Sequence, residues 1–316
     1  MRTSLIFTVY NEEKNIKELL DSIFLQTKIP DEIIILDSLS KDKTVKIIKS
    51  YKSKKIKLIE KRADIGTARN IAIEKAKNDI ILVTDGGCIL DKNWVYEISK
   101  SFNDEGVDVV GGVFKPKAKN FFEKCQGIVV CKPIEKVDEK KFLPSSRSFA
   151  FRKRVWKEIG GYPKHEIGGE DTKFVLDIIK DGYNMKITKK AVVYWRMRSP
   201  MKYFIRQYYL YAAGDARMGN ILRMRMALLF VLLSPLYAFS MVSLLFLRPL
   251  FSLILAVPLV LYLLYSGLSV AIRVKNPLGF FHGITLTLFK RLAYVVGIWR
   301  EWLSNHSRGY KNENHE

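Results

Sequence analysis

The stretch Asp79–Cys88, DIILVTDGGC, decides how this chain is read. Its first part is a short apolar run bounded by charge, the pattern of a strand buried on both faces. The run stops on a single carboxylate, Asp85, and two glycines follow, where a ligand can approach the backbone closely. The same form recurs upstream. Ser4–Val9 (SLIFTV) and Glu32–Leu36 (EIIIL) are apolar runs that end on Tyr10-Asn11-Glu12 and Asp37-Ser38, and Ile56–Ile59 is a shorter third. Between these runs, residues 12–26 carry Ile16, Leu19, Leu20, Ile23 and Phe24 at helical spacing. Residues 41–51 read as a second helix and residues 66–77 as a third. Strand and helix in alternation imply an α/β domain with a mainly parallel sheet and right-handed crossovers. Ligands in such sheets sit beyond the carboxyl ends of the strands, which singles out residues 9–12, Asp37-Ser38 and Asp85-Gly86-Gly87.

Past Trp94 the regularity loosens. A strand at Val107–Phe114 is followed by an unpatterned stretch to Leu143, then a strand at Ser148–Phe151, a helix at Thr172–Lys180 and a last strand at Ala191–Trp195. A mixed sheet closing one side of the site is expected. The material changes at Pro200. Met201–Met224 interleaves tyrosines and Phe204 with lysine and arginine, as suits a helix lying on a membrane surface, with a solvated helix packed on the domain as the alternative. Met226–Leu247 and Pro249–Ala271 hold no charged residue. Each can cross a hydrocarbon core, which takes about 20 residues. Arg248-Pro249 separates them, and Arg223, Arg225, Arg273 and Lys275 flank the pair, so a hairpin with cytoplasmic ends is expected. Leu278–Trp302 reads as a third span or as an interfacial helix. Lys290-Arg291 in its middle, at about 3 kcal/mol each in lipid, favours the interfacial helix. The organisation expected is a cytoplasmic catalytic domain over residues 1–200, a basic aromatic segment over 201–225, a transmembrane hairpin over 226–272, and an interfacial helix with a polar tail over 273–316.

Composition narrows the function. Of 316 residues, 53 are Lys or Arg against 32 Asp or Glu, a net charge of +21. Such charge suits nucleic acid, yet no zinc spacing, ribonucleoprotein motif or helix-turn-helix pattern accompanies it. Anionic lipid headgroups and a diphosphate substrate account for the sign, and no nucleic-acid partner is expected. Cys88, Cys125 and Cys131 are odd in number and include no CxxC, against a disulfide framework or a structural zinc site.

Several side chains could carry chemistry. Asp37 can accept hydrogen bonds from a nucleobase or ribose, while Ser40 and Asp42 read as caps of the next helix. Gly66-Thr67-Ala68-Arg69-Asn70 opens a helix, where Arg69 is either a forked donor to phosphate or half of a surface salt bridge. Glu170-Asp171 at a helix start either compensates the helix dipole or supplies a general base.

The order TVYNEE (Thr8–Glu13), strand-end Asp37, GTARN (Gly66–Asn70), TD at Asp85, PSSRS (Pro144–Ser148), GGEDT (Gly168–Thr172) and YWR (Tyr194–Arg196) resembles the family 2 glycosyltransferases of GT-A fold. TDGGC, FLPSSRSFAFR, GGEDT and VVYWRMRS with FRQYYLYAAGDAR are similar to a membrane-attached sub-branch with a TDAGC-like motif. The resemblance covers residues 2–217. It implies a GT-A type mixed, mainly parallel sheet flanked by helices and followed by C-terminal membrane helices. It further implies a multi-pass protein of the cell membrane, with its catalytic domain on the cytoplasmic side. The implied activity is inverting transfer from a nucleotide sugar to a lipid-linked or glycan acceptor in cell-surface glycan or glycoprotein synthesis. Residue by residue, it gives Thr8, Tyr10, Glu12 and Asp37 to the nucleotide, Arg69 to the diphosphate, and Asp85 to the nucleotide and to Mg²⁺ or Mn²⁺. Asp171, with Glu170 beside it, matches the catalytic acid pair. Ser145, Ser146, Arg147, Trp195, Arg196 and Arg198 fall to the acceptor or diphosphate.

Two departures matter. Gly87 stands where the second acid of the metal motif belongs, and Asp91, the nearest acid, reads as the start of a helix at Lys92, with Cys88 packed under the loop. No QxxRW follows Gln207, so one sugar per acceptor is expected. A polyprenyl-phosphate sugar synthase and a non-catalytic membrane scaffold of the same fold are the rival readings.

Overall fold

The computed structural model describes residues 1–164, 168–219 and 249–312. The chain divides into two compact units. One comprises Met1–Lys117, Cys131–Glu166 and Glu170–Arg196; the other comprises Ala118–Val130, Ile167–Gly169 and Met197–Glu316.

The first unit begins with β1 (Thr3–Val9), α1 (Ile16–Phe24), β2 (Glu32–Asp37), α2 (Thr44–Ser50), β3 (Ile56–Glu60), α3 (Ile65–Glu74) and β4 (Ile80–Val83). After β5 (Cys88–Leu90), α4 (Trp94–Ser99) and β6 (Val109–Lys117), the chain leaves for α5 (Phe121–Val130) of the second unit. It returns as β7 (Phe149–Arg152), α6 (Lys153–Ile159), α7 (Glu170–Lys180) and β8 (Met185–Arg196). The strands form one sheet in the order β3-β2-β1-β4-β7-β6-β8-β5. β1 pairs in parallel with β2 and with β4, so the strand order reverses at β1, and the expected parallel block is present. β7 then runs antiparallel to both β4 and β6, which makes the sheet mixed as expected.

One core lies under this sheet. Ile6, Ile34, Ile81 and Val83 from the parallel strands meet Phe149 and Phe151 of β7 and Phe174, Val175 and Ile178 of α7, all fully buried. Phe174 is its hub, with its ring centroid 5.5 Å from Phe151 and 4.1 Å from Tyr162. Such packing fixes the start of α7 relative to the sheet, and so fixes where Glu170 and Asp171 emerge.

The structure moves several expected boundaries. α1 starts at Ile16 rather than near residue 12, because Glu12 heads a turn whose carbonyl accepts from the amides of Asn15 (2.9 Å) and Ile16 (2.8 Å). α2 starts at Thr44, whose amide donates to the Asp42 carboxylate at 2.9 Å, while Lys43 occupies the cap position and Ser40 bonds Asn11 and Asp37 instead of the helix. The unpatterned stretch before Leu143 contains α5. β8 starts at Met185, six residues before the strand read from sequence, and pairs in parallel with β6 despite carrying Lys186, Lys189 and Lys190.

The second unit comprises α5, α8 (Met201–Arg217), α9 (Pro249–Val274), α10 (Leu278–Asn312) and the Gly168-Gly169 loop. Val257–Val274 is the one window among the described residues long and apolar enough to cross a membrane, with a mean hydropathy of 1.7. The first arm of the expected hairpin, residues 226–247, lies outside the described residues. α9 and α10 approach through small residues: a methyl on Gly283 would stand 2.8 Å from the Gly267 Cα. The charges in the middle of α10 are held inside the unit. Arg291 donates to the Tyr262 hydroxyl at 2.8 Å, and Lys290 donates to the Val129 carbonyl at 3.3 Å and lies over the Tyr208 ring.

Gly66, in the first turn of α3, tests the packing of the first unit. A methyl there would stand 1.9 Å from the carbonyl oxygen of Pro163, a backbone atom that cannot swing away. Gly66→Ala is expected to cost about 1–3 kcal/mol, read as a lower Tm of the full chain. An unchanged Tm would contradict that contact.

Candidate active site

The site is built on the carboxyl ends of β1, β2 and β4. The loops after β1 and β2 are knitted together by side chains the sequence places there. The Asn11 amide donates to the Ser40 hydroxyl (2.9 Å), the Lys41 amide to the Asn11 side-chain oxygen (2.8 Å), the Glu12 amide to Thr44 Oγ1 (2.8 Å) and the Glu13 amide to Asp42 (3.0 Å). Asn11 itself sits at φ 54°, a left-handed position that asparagine tolerates well. Asp37 is fully buried and accepts from both the amide and the hydroxyl of Ser40. Its carboxylate shapes the loop from within. Tyr10 is 54% exposed beside it, and Thr8 is half-buried.

The β4 loop closes against this pair of loops. A methyl built on Gly86 would stand 3.2 Å from the Thr8 carbonyl and 3.5 Å from the Glu12 side chain, so the TVYNEE and TDGG segments meet there. Gly87 is different: a methyl there meets nothing within 4 Å, and its φ is not left-handed. The second acid of the expected metal motif is therefore missing without any steric bar against it.

Behind this loop lies a feature the sequence did not reveal. Arg69 is 2% exposed, and its two terminal nitrogens divide between two carboxylates. Nη2 donates to Asp85 at 2.8 Å and Nη1 donates to Glu170 at 2.7 Å. The guanidinium also stacks over the Tyr162 ring at 5.2 Å, and the Tyr162 hydroxyl is 3.0 Å from that of Ser146. Arg69 forms buried salt bridges rather than the surface one expected, and its fork is turned to Asp85 and Glu170. Burial alone would pull its pKa down, but the carboxylates of Asp85 and Glu170 raise it above the ordinary arginine value. Glu170 is pushed above the usual carboxylate range by burial, against the pull of Arg69. Asp171, next along the first turn of α7, is half-buried and forms no ion pair among the described residues. It accepts from the Thr172 amide at 2.8 Å.

The other expected residues gather on β8 and on the segment leading into β7. The Arg147 guanidinium stacks on Trp195 at 4.1 Å and donates to the Ser145 hydroxyl at 3.1 Å. The Arg196 amide donates to the Gly87 carbonyl at 3.2 Å, which ties β8 to the glycine loop. Its side chain, 8% exposed, forms an ion pair with Glu18 of α1, while Nε and Nη1 are buried without a hydrogen-bond partner among the described residues. Arg198 belongs to the second unit, where it is exposed and its amide donates to Gln126 at 3.0 Å. Asp91 accepts from the Asn93 amide at 3.2 Å ahead of α4, a turn-forming role. Cys88 is fully buried and its thiol is pushed up to about 12 by burial, with Asp85 adding to the shift, so it is inert packing as expected.

Two side chains escaped the sequence reading: Tyr162 and Glu18 carried no signal beyond a position after paired glycines and on a helix surface. Glu170 was singled out beside Asp171, but its bridge to Arg69 was not. As for a metal, no cluster of three or more His, Cys, Asp or Glu side chains forms a cage among the described residues. Asp85 remains 28% exposed with one oxygen turned to Arg69, and open space lies at Gly87. That fits a cation carrying most of its ligands on a diphosphate and taking one from the protein.

Residues 4–159 match the family model described as "Glycosyl transferase family 2". An O-antigen chain rhamnosyltransferase, RfbN of Salmonella typhimurium, is 32% identical over 61% of this chain and 66% of its own length. A dolichyl N-acetyl-alpha-D-glucosaminyl phosphate 3-beta-D-2,3-diacetamido-2,3-dideoxy-beta-D-glucuronosyltransferase of Methanococcus voltae is 24% identical over 68% of this chain and 73% of its own. The chain thus spans just under two thirds of the first of these relatives. Among solved structures, the mannosyltransferase PcManGT of Pyrobaculum calidifontis, in complex with GDP-Man and Mn2+, superposes with a TM-score of 0.59 over 95% of this chain and 88% of its own at 18% identity. The likeness is one of fold: a GT-A type mixed sheet flanked by helices.

Two substitutions probe the site. Arg69→Met leaves Glu170 buried without its cation, and is expected to destabilise the chain by about 3–5 kcal/mol; thermal unfolding reads the change, and an unaltered Tm would deny the bridge. Gly87→Asp is expected to keep the wild-type Tm within about 2 °C, since its side chain enters open space, whereas a large fall would show that space to be filled.

Proposed function

We propose, from the membership of residues 4–159 in glycosyl transferase family 2, that the chain moves a sugar from a nucleotide-sugar donor to a membrane-associated acceptor. The observation that carries this reading is the Arg69 fork, which places the strand-end acid Asp85 and the first turn of α7 in one site. Asp171 is the carboxylate there that forms no ion pair among the described residues, and it takes the role of general base. It removes the proton of an acceptor hydroxyl as that oxygen bonds to the anomeric carbon. The bond from that carbon to the diphosphate oxygen breaks, and the nucleoside diphosphate leaves with the electron pair. A single base acting in a single displacement inverts the anomeric configuration.

The nucleotide lies over Thr8, Tyr10 and Glu12, in loops whose shape Asp37 holds from beneath. Arg69 works through Asp85 and Glu170 rather than on the diphosphate. Arg147, Trp195 and Arg196, with Ser145 and Ser146, face the sugar, the acceptor or the leaving diphosphate. Mg²⁺ or Mn²⁺ would be held by Asp85 and by diphosphate oxygens, and would neutralise charge on the leaving group. The acceptor is lipid-linked. Support comes from the apolar window Val257–Val274 and from relatives named as an O-antigen chain rhamnosyltransferase and as a dolichyl N-acetyl-alpha-D-glucosaminyl phosphate glucuronosyltransferase. Membrane attachment through more than one helix, with the site on the cytoplasmic side, completes the reading.

A thermal-shift panel of UDP-, GDP- and dTDP-sugars with and without Mn²⁺, followed by transfer assays on lipid extracts, identifies donor and acceptor. Asp171→Asn is expected to lower transfer by about 10²–10⁴ while nucleotide binding stays. Full transfer by that variant on bare polyprenyl phosphate would point instead to a polyprenyl-phosphate sugar synthase, whose acceptor is already anionic. No shift with any sugar nucleotide at millimolar concentration would point to a non-catalytic scaffold. EDTA is expected to abolish transfer, and undiminished activity in EDTA would remove the metal from the scheme.

A further inference from the structure

Arg196 ends β8 beside the glycine loop, where its amide donates to the Gly87 carbonyl at 3.2 Å. Its guanidinium forms an ion pair with Glu18, which lies in the first turn of α1. That helix follows directly on the turn headed by Glu12. Gly86 packs on the same segment, since a methyl there would stand 3.1 Å from a Val9 methyl and 3.2 Å from the Thr8 carbonyl oxygen. The glycine loop thus contacts the end of β1 through Gly86 and the end of β8 through Gly87. The Glu18–Arg196 pair links the helix after β1 to the end of β8 a second time, all within the first unit.

The pair is an incomplete match. Arg196 is 7% exposed, whereas the Glu18 side chain is half exposed. Glu18 meets Nη2, and Nε and Nη1 are buried without a hydrogen-bond partner among the described residues. A guanidinium carries five N–H donors in a fixed fork, and leaving buried donors unmade is costly. One half-solvated carboxylate neutralises such a group without satisfying it. A diphosphate does both, because it brings more charge and several acceptor oxygens onto which the fork fits. Arg69 provides the contrast: it is buried as deeply, yet both of its terminal nitrogens donate to carboxylates.

We propose that Glu18 is an exchangeable counter-ion for Arg196: it neutralises the guanidinium between turnovers and yields it to the diphosphate of an arriving nucleotide sugar. Product release runs the exchange in reverse, with the Glu18 carboxylate competing against the departing nucleoside diphosphate for one cation. Arg196 here serves the diphosphate, one of the three partners given to it above, and the assignment rests on that reading. The sign of the effect separates exchange from support. A salt bridge that only holds the fold, or only aims the arginine, weakens nucleotide binding when it is broken. A competing counter-ion strengthens binding when it is removed, since its loss destabilises the nucleotide-free protein and not the complex.

UDP, GDP and dTDP, together with UDP-N-acetylglucosamine, GDP-mannose and dTDP-rhamnose, are titrated calorimetrically into the full chain in detergent with Mn²⁺. For the nucleoside diphosphate that binds, and for its sugar ester, Glu18→Gln is expected to lower Kd by about threefold to tenfold. Glu18→Ala is expected to act in the same direction and serves where Glu18→Gln does not fold. Arg196→Met is expected to raise Kd about tenfold or more, and Arg196→Lys, which keeps the charge and loses the fork, to raise it less. In an Arg196→Met background the gain from Glu18→Gln is expected to vanish. Asp21→Asn removes a carboxylate from the same helix, where it pairs with Lys17 at 2.7 Å. Its Kd is expected to stay within about twofold of wild type.

Unchanged or weaker binding in both Glu18→Gln and Glu18→Ala, with Arg196→Met still weakening it, would overturn the exchange alone and leave Arg196 at the diphosphate. A tighter Kd in Asp21→Asn equal to that in Glu18→Gln would also overturn it, as an effect of net charge. Wild-type Kd values in Arg196→Met would remove that arginine from the diphosphate, and the exchange with it. Failure of the wild-type chain to bind any of these nucleotides would overturn the transfer reading as well as the exchange.

Discussion

Arg69 cannot be buried at 2% exposure unless its charge is answered, and the two carboxylates that answer it come from opposite ends of the site. Asp85 closes the β4 strand, while Glu170, 101 positions along the chain from Arg69, opens α7. An uncompensated cation in that place would cost several kcal/mol, so the fold holds together only when strand end and helix start are within reach of one guanidinium. The same bond that satisfies Arg69 therefore fixes the geometry of the acids. Asp85 is turned by its contact with Nη2, and Asp171 follows Glu170 around the first helical turn. A site whose charges are oriented before a substrate arrives need not reorganise during reaction, which is where much of an enzyme's electrostatic advantage lies.

Close backbone contacts complete the preorganisation. Gly66 seats α3 on the Pro163 carbonyl, which sets the helix that carries Arg69, and Gly86 seats the β4 loop on the end of β1. Gly87 stands apart, since nothing opposes a side chain there. The missing second acid is thus a chemical choice rather than a steric necessity. It leaves Asp85 as the partly exposed carboxylate of the strand ends, while Asp37 is withdrawn into the loop it supports.

The parallel half of the sheet was legible because its strands are continuous apolar runs that end on polar residues, and that pattern survives in one dimension. Asp37 and Asp85 could be singled out from it, whereas Thr8 came only from the family resemblance. β5 is only three residues long, α5 is a helix in a stretch without clean periodicity, and the first half of β8 carries lysines, so pairing with β6 rather than composition makes it a strand. The role of Arg69 was half legible. GTARN announced a forked donor near the site, but its partner Glu170 and the ring of Tyr162 are contacts across long sequence separation that spacing does not encode. Asp37 was found by position, and its burial against Ser40 required the folded loop.

Asp171 has no cationic partner among the described residues, and it stands beside two carboxylates that share Arg69. With Asp171 proposed as the base of a direct attack by the acceptor, one displacement is expected. The anomeric configuration of the first product formed from the identified nucleotide sugar, read from its anomeric proton coupling by NMR, tests this most directly. Inversion relative to the donor is expected, and retention would contradict the site as described.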